Sequence, residues 1–331
     1  MKLSHVILTG GIGSRLWPLS RKSQPKQYLE IFEGKSLFEM SLERNKNISD
    51  SIIVVGNKDN CHLSRAVLGK TDNSYIDIVE ATPRNTAAAI AFAAFASDPE
   101  DVLLVTPSDH VIEGDASYNN AIAAAVEKAK EGFIVTFGII PTKPETGFGY
   151  IEHKADDVIS FREKPNEKLA QEFIDSGNFL WNSGMFCFKA SVLLEELKKY
   201  TPDVYEASKI AWEKSKNGLL DFDLSMDIPS ISIDYAVMEK SEKMKVVPAD
   251  FQWSDLGSFE SVYEYLQSQG YAIDTSGNMV IGTEVHTAFV GMKNTIFVAT
   301  PDANLILQKE SSQDVKQIYS KLEQENSELL N

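Results

Sequence analysis

Cysteine is scarce in this chain. Cys61 and Cys187 are the only two in 331 residues, far apart and in no CxxC pair, which excludes a disulfide framework and a thiolate zinc site. Both are expected to be buried free thiols of a reducing compartment. Histidine is also sparse, with five residues, and no His-centred catalytic array stands out. Long apolar runs are missing: the longest, Ala87 to Ala96, is half of the roughly 20 residues a membrane span requires. The opening MKLSHVILTGG interrupts its apolar stretch with Ser-His and glycines, so no signal peptide is expected and the protein reads as cytoplasmic, with no membrane partner. Positive charge is short as well. With 32 Lys plus Arg against 48 Asp plus Glu, a formal charge of −16, a passive nucleic-acid surface is excluded and any bound polyanion needs a local basic site.

What the chain does have is globular composition, 43% hydrophobic and 24% charged, in a length that suits one large domain with a small appendage. Strand-like runs and helical patterns alternate: His5–Thr9, then a helix over Ser36–Asn47, Ser51–Val55, a helix from about Asp59, Ile76–Glu80, and a helix over Asn85–Ala96. Asp101–Thr106, a helix over Tyr118–Lys130 and Phe133–Gly138 continue the alternation. This predicts an α/β, Rossmann-like domain over residues 1–269, its mostly parallel sheet covered by helices on both faces, with ligands beyond the carboxyl ends of the strands. Gly149 to Lys189 reads as a lid or second-substrate region, followed by helices over Ser191–Tyr200, Pro202–Lys216 and Phe259–Gln267. Residues 270–331 read as a β-rich appendage with pieces at Asn278–Ile281, Thr287–Val290, Thr295–Ala299 and Ala303–Gln308, closed by a charged helix from Ser312.

The first strand runs into Thr9-Gly10-Gly11-Ile12-Gly13-Ser14-Arg15-Leu16. Leu16 stands where a dinucleotide fingerprint needs its last glycine, and Gly34-Lys35-Ser36 and Gly69-Lys70-Thr71 lack the leading glycines of a P-loop. What remains is a glycine loop after a strand, whose free N–H groups suit a phosphate or a base edge. Residues 1–29 contain no Asp or Glu, while Arg15, Arg21, Lys22 and Lys26 follow the loop. In so acidic a protein this points to a polyanion site rather than to solvated surface cations.

The stretch Gly10 to Arg21, with Pro25-Lys26-Gln27-Tyr28-Leu29, resembles the signature of sugar-1-phosphate nucleotidylyltransferases, and within them the mannose-1-phosphate guanylyltransferase branch. The resemblance continues through Pro83-Arg84-Asn85-Thr86-Ala87, Thr106-Pro107-Ser108-Asp109-His110, Thr146 to Ile151, Phe161-Arg162-Glu163-Lys164-Pro165, Trp181-Asn182-Ser183-Gly184, Ser232 to Lys240 and Trp253-Ser254-Asp255-Leu256-Gly257. It implies that Arg15 and Lys26 are the catalytic cations, binding the triphosphate and offsetting charge on the leaving pyrophosphate. Replacing either is expected to cost rate and leave folding nearly unaffected. Asp109 and Asp255 become the ligands of Mg²⁺, whose taste for hard oxygen donors they suit; a cap or turn role is the alternative for each. His110 reads as structural. The resemblance places Leu8, Gly10, Gly11, Glu80, Arg84, Asn85, Thr86 and Ser108 at the nucleotide, where a carboxylate or amide oxygen can accept from guanine N1–H and N2–H₂. Asn85 is equally well read as a helix N-cap.

Gly149, Glu163, Lys164 and Asn182 are implied at the sugar phosphate, with Trp181 and Phe186 packing beneath. The implied partners are GTP and a sugar 1-phosphate, mannose 1-phosphate first, giving GDP-mannose. Another sugar 1-phosphate or nucleotide, or a non-catalytic nucleotide-sugar-binding regulator, stays open, as does the oligomeric state, a homodimer included. Ala88 and Phe148 stand where the family commonly has proline and tyrosine, and the appendage looks like an abbreviated β-helix. The cupin isomerase domain of two-function relatives is absent from this sequence, so no isomerase activity is expected.

Overall fold

The structure, a computed structural model, describes residues 1–30, 34–71 and 74–331. Contacts divide the chain into two compact units, the first comprising Met1–Gly10, Arg44–Ser108 and Ile112–Trp253, the second Gly11–Glu43, Asp109–Val111 and Ser254–Asn331.

The first unit is built on one sheet. Its strands are β1 (Leu3–Leu8), β2 (Ser51–Asn57), β3 (Tyr75–Glu80), β4 (Val102–Pro107), β5 (Ile134–Ile139), β6 (Tyr150–Lys154), β7 (Asp157–Arg162), β8 (Phe179–Lys189) and β9 (Met244–Ala249). They lie in the order β3-β2-β1-β4-β8-β5-β9-β7-β6, with β6 also paired to β8. Val6 of β1 sits in parallel register between Ile53 of β2 and Val105 of β4. β8 runs antiparallel to both β4 and β5, and β7 antiparallel to β9. The sheet is therefore mixed: seven of its nine strands point one way, with β7 and β8 opposed to the rest.

Alternation along the strands gives the sheet two apolar faces. Leu103, Val105, Phe186 and Phe188 join one core with helices α1 (Asn85–Phe95), α4 (Ala190–Tyr200) and α5 (Pro202–Glu213). Val102, Leu104, Met185 and Cys187 join the other with α2 (Asp115–Lys130) and α3 (Glu167–Ser176). Helix α1 is buried from Ala87 through Ala94, as an all-apolar helix must be. Both cysteines are buried and free. One alternative is corrected: the lid reading of Gly149 to Lys189 fails, because the 11-residue β8 lies between β4 and β5 and buries seven of its eleven residues in the sheet, while the second-substrate reading is untouched.

In the second unit, the segment after Gly10 makes short 3-10 turns at Ser14–Leu16 and Lys26–Tyr28. The C-terminal segment contributes α6 (Phe259–Ser268), β10 (Met279–Ile281), β11 (Thr295–Ala299), β12 (Asn304–Gln308) and α7 (Val315–Gln324). β10 pairs in parallel with β11, and β11 in antiparallel with β12. Thr287–Val290 is not a strand: Val290 is 90% exposed, so the stretch has no apolar face to bury. Leu16 and Trp17 share one core with Phe259, Ile296, Val315 and Tyr319. The chain end reinforces that union, since Trp17 Nε1 donates to Leu329 O at 3.0 Å and Lys22 N to Leu330 O at 2.7 Å. No helix among the described residues is long and apolar enough to cross a membrane.

Candidate active site

The second unit holds a cavity of about 370 Å³ lined by Gly11, Arg15, Lys26, Asp109 and Asp255 among others. Five residues expected at the nucleotide, its phosphates or the metal thus meet in one place. Gly13 lets them do so: it adopts φ 76°, and a Cβ there would lie 2.6 Å from Lys26 Cβ. Lys26 is buried, its side chain 4% exposed, with Nζ 2.6 Å from Asp109 Oδ2 and donating to Asp255 O at 2.5 Å. Burial alone would raise the Asp109 carboxyl, but the Lys26 ammonium, helped by His110, outweighs it and holds the group below the ordinary carboxylate range. His110 Nε2 lies 3.8 Å from Asp109 Oδ1, in keeping with a supporting role. The Asp255 carboxylate accepts Gly257 N–H at 3.0 Å, so the turn reading and the cavity-lining reading hold together.

Two sequence expectations change. Against the expectation that replacing Lys26 leaves folding nearly unaffected, its buried ion pair with Asp109 is part of the fold, so its removal is expected to lower stability. Arg21 and Lys22 leave the phosphate field. Arg21 is 7% exposed and grips Asp302 with Nη2 and Nη1 at 2.7 and 3.1 Å, while Nη1 also donates to Leu329 O at 2.6 Å. Lys22 pairs with Glu323 at 3.3 Å. Arg15, by contrast, makes no ion pair among the described residues and is half-buried at the cavity. For Mg²⁺, two carboxylates on one cavity wall supply hard oxygen donors of the kind that ion takes, and the residues fit it.

The first unit brings together Gly149, Glu163, Lys164 and Asn182. Gly149 O accepts Asn182 N–H at 2.8 Å, and a Cβ on Gly149 would lie 2.9 Å from Glu163 Oε2. Lys164, at φ 41°, pairs its Nζ with Glu163 Oε1 at 2.5 Å. Asn182 Nδ2 donates to Asp234 Oδ1 at 2.9 Å, while its Oδ1 accepts Gly184 N–H at 3.1 Å, which fixes the amide orientation. Burial, with Glu163 nearby, raises the Asp234 carboxyl, against the opposing Asn182 hydrogen bond. Burial also raises Glu239, with Asp234 and Glu163 adding to it. Asp234 is the residue the sequence reading missed. Its signal lay inside the Ser232 to Lys240 motif, and it opens a π-helix, Asp234–Met238, a rare backbone form frequent at functional sites.

Of the nucleotide candidates, Gly11 belongs to the second unit, whereas Leu8, Gly10, Glu80, Arg84, Asn85, Thr86 and Ser108 belong to the first, at or just beyond the ends of its strands. Ser108 N donates to Leu8 O at 3.1 Å, joining the ends of β4 and β1. Glu80 ends β3, is 5% exposed, and keeps Oε1 buried without a hydrogen-bond partner. Burial pushes its carboxyl up to about 7, against a backbone hydrogen bond from Arg84. Arg84 Nε is committed to Ile228 O at 2.6 Å. Asn85 sits at φ 68°, with Oδ1 accepting the N–H of the next residue, Thr86, at 2.8 Å; the cap position of the helix falls on Arg84, with no side-chain cap hydrogen bond, so the N-cap reading of Asn85 is not met. Thr86 Oγ1 accepts Ile233 N–H at 2.8 Å, tying the base candidates to the segment that carries Asp234. Trp181 packs edge-on to Phe148 at 5.2 Å, as a supporting residue would.

Comparison with known proteins agrees with this chemistry. A family model described as nucleotidyl transferase matches residues 4–269, and one described as a MannoseP isomerase/GMP-like beta-helix domain matches residues 270–322. The chain is 36% identical to the mannose-1-phosphate guanylyltransferase of Escherichia coli over 349 residues, covering 97% of this chain and 74% of that protein. It is 39% identical to the alginate biosynthesis protein AlgA of Pseudomonas putida, covering 97% and 71% of the two. Among solved structures, a mannose-1-phosphate geranyltransferase from Thermus thermophilus superposes with a TM-score of 0.84 at 30% identity, covering 98% of this chain and 100% of that one.

Proposed function

We propose, from the premise that the chain belongs to the nucleotidyl transferase family, that it transfers a guanylyl group from GTP to α-D-mannose 1-phosphate, giving GDP-mannose and pyrophosphate. The observation that carries the reading is the cavity in which Arg15 and Lys26 stand with Asp109 and Asp255.

The sugar phosphate has a second pKa near ~6 and is mostly ionised at neutral pH, so its oxygen attacks the α-phosphorus without a general base. A new P–O–P bond forms as the bond to the bridging oxygen of pyrophosphate breaks, and no net proton moves. Arg15 and Lys26 offset the charge that collects on the leaving pyrophosphate, a contribution of preorganised electrostatics. Nucleotidyltransferases of this family generally use a divalent metal; Asp109 and Asp255 would hold Mg²⁺, which supplies further charge neutralisation at the phosphates. Glu80 Oε1, buried and unpartnered, suits the donor edge of guanine, an edge that adenine lacks. Glu163, Asn182 and Asp234 offer carboxylate and amide groups to the sugar hydroxyls, and Lys164 its ammonium to the sugar phosphate.

A pyrophosphate-release screen that crosses the common nucleoside triphosphates with a panel of sugar 1-phosphates tests the reading. GTP with mannose 1-phosphate is expected to be the fastest pair. A faster pair would move the assignment to that nucleotide or sugar, and no release with any pair would leave a binding protein.

A further inference from the structure

The cavity that holds Arg15 and Lys26 has one more cation on its wall, and it comes from the far end of the chain. Lys316, on the first turn of α7, lines the same cavity. We propose that Lys316 is a phosphate-binding residue of the reaction, a third cation for the triphosphate and the pyrophosphate that leaves. The proposal rests on the reading of this cavity as the triphosphate site.

Three observations carry it. First, Lys316 is exposed and has no ion pair among the described residues, in a chain with 16 more acidic than basic groups. Its neighbours are otherwise engaged: the Asp314 carboxylate accepts Gln317 Nε2 at 3.0 Å, and Lys26 is bound to Asp109. Arg15 and Lys316 are thus the two uncommitted cations on this wall. Second, the 3-10 helix Lys309–Asp314 runs straight into α7, so the backbone at Lys316 lies inside a continuous helical segment and the ammonium is the group it offers the cavity. An anion in the cavity would give that ammonium the partner it lacks. Third, the position is fixed by packing. Helix α7 packs on the Ser14–Leu16 turn that carries Arg15, and Val315 and Tyr319 share the core of Leu16 and Trp17. Arg21, clamped to Asp302 and Leu329 O, and Trp17, bonded to Leu329 O, hold loop and C-terminal segment together. A helix held that firmly fixes where the side chain starts, beside the cavity, within reach of a bound phosphate.

The test uses the full chain with Lys316→Ala, Lys316→Arg and, as the internal reference, Arg15→Ala. The readouts are the KM for GTP, kcat, and inhibition by inorganic pyrophosphate. Lys316→Ala is expected to raise the GTP KM and weaken pyrophosphate inhibition by about tenfold, the scale of one charge-assisted contact, while the KM for mannose 1-phosphate moves less than threefold. Lys316→Arg should recover most of the loss, and Tm should stay within about 1 °C, since the side chain is exposed. Loss of GTP affinity in Arg15→Ala with none in Lys316→Ala would overturn the proposal and leave the cavity reading intact. Unchanged GTP and pyrophosphate affinity in both variants would overturn the cavity reading itself. Equal loss in Lys316→Ala and Lys316→Arg with a lower Tm would assign the residue to packing.

Discussion

Lys26→Met removes an ammonium that we propose as a catalytic cation and that also pairs with Asp109, and the two roles can be weighed separately. Breaking a buried ion pair from one side costs about 3–5 kcal/mol when both charges are fully buried. Lys26 meets that condition with its side chain 4% exposed, whereas Asp109 keeps 32% of its side-chain surface in solvent, which screens the charge left behind. A loss of ~1–3 kcal/mol follows, or a Tm lower by roughly 1–4 °C for a chain of this size. Independently, removing one preorganised donor to the developing pyrophosphate should lower kcat/KM by about 10²–10³. Adding Asp109→Asn should recover part of the Tm, because no carboxylate is then left without its cation, while activity falls further. Thermal denaturation and pyrophosphate release on the two single variants and the double variant close the cycle. A Lys26→Met protein with wild-type Tm would show that the 2.6 Å pair contributes nothing to folding. Activity within threefold of wild type would remove Lys26 from the chemistry.

Arg15→Met and Arg21→Met should separate function from structure: the first is expected to lower kcat/KM about 10²-fold at unchanged Tm, the second to lower Tm by several degrees, and the reverse pattern would contradict the assignment of Arg21 to the Asp302 clamp. Asp109→Asn and Asp255→Asn should each raise the Mg²⁺ concentration for half-maximal rate, with non-additive effects if they share one ion; an unchanged Mg²⁺ dependence would return that residue to a turn role. His5, buried against Thr106 at 2.8 Å, has its pKa lowered to about 3 by burial and by Arg44. The unfolded chain takes up a proton below pH 6.5 that the folded one refuses, so stability from this group is present above 6.5 and lost as pH falls toward 3, by up to ~1.4 kcal/mol per pH unit. Urea midpoints between pH 7 and 5 should fall less steeply in His5→Gln; an identical slope would assign the acid sensitivity to other groups. Glu80, raised to about 7, works in the opposite sense: the folded chain holds a proton the unfolded chain lacks, and that stability is lost as pH rises from 4.5 to 7. Since the proposed contact to guanine needs the ionised form, GTP affinity should weaken below pH 7 in the wild type and stay flat in Glu80→Gln.

The alternation of strands and helices up to Gly138 was legible because each element there carries its own period and its own punctuation. The Ala87–Ala94 run could only be a helix buried on all sides, and β4 could only be a central strand. β8 was harder to place, since Gly149 to Lys189 is broken by glycine and proline and nothing local says that its last strand inserts between β4 and β5. The candidate residues around the cavity were legible through the acid-free stretch and the Asp109 and Asp255 motifs. What local pattern could not separate was Arg21 from Arg15: both read as basic loop residues, and only the fold shows one clamped by Asp302 and the other facing the cavity. Asp234 was hidden in a quoted motif because a lone aspartate before apolar residues looks like a helix cap. Lys316 had no signal at all, as its meaning depends on a packing contact with the Ser14–Leu16 turn, at the opposite end of the sequence.

The central claim is transfer of the guanylyl group itself, and GTP labelled either at the α- or at the γ-phosphate tests it most directly. With mannose 1-phosphate and Mg²⁺, the α-label should appear in GDP-mannose and the γ-label in pyrophosphate, at a kcat/KM at least ~10-fold above that with glucose 1-phosphate, equivalent to about 1.4 kcal/mol of discrimination. Label released as inorganic phosphate, or no labelled sugar nucleotide while GTP still binds, would contradict it.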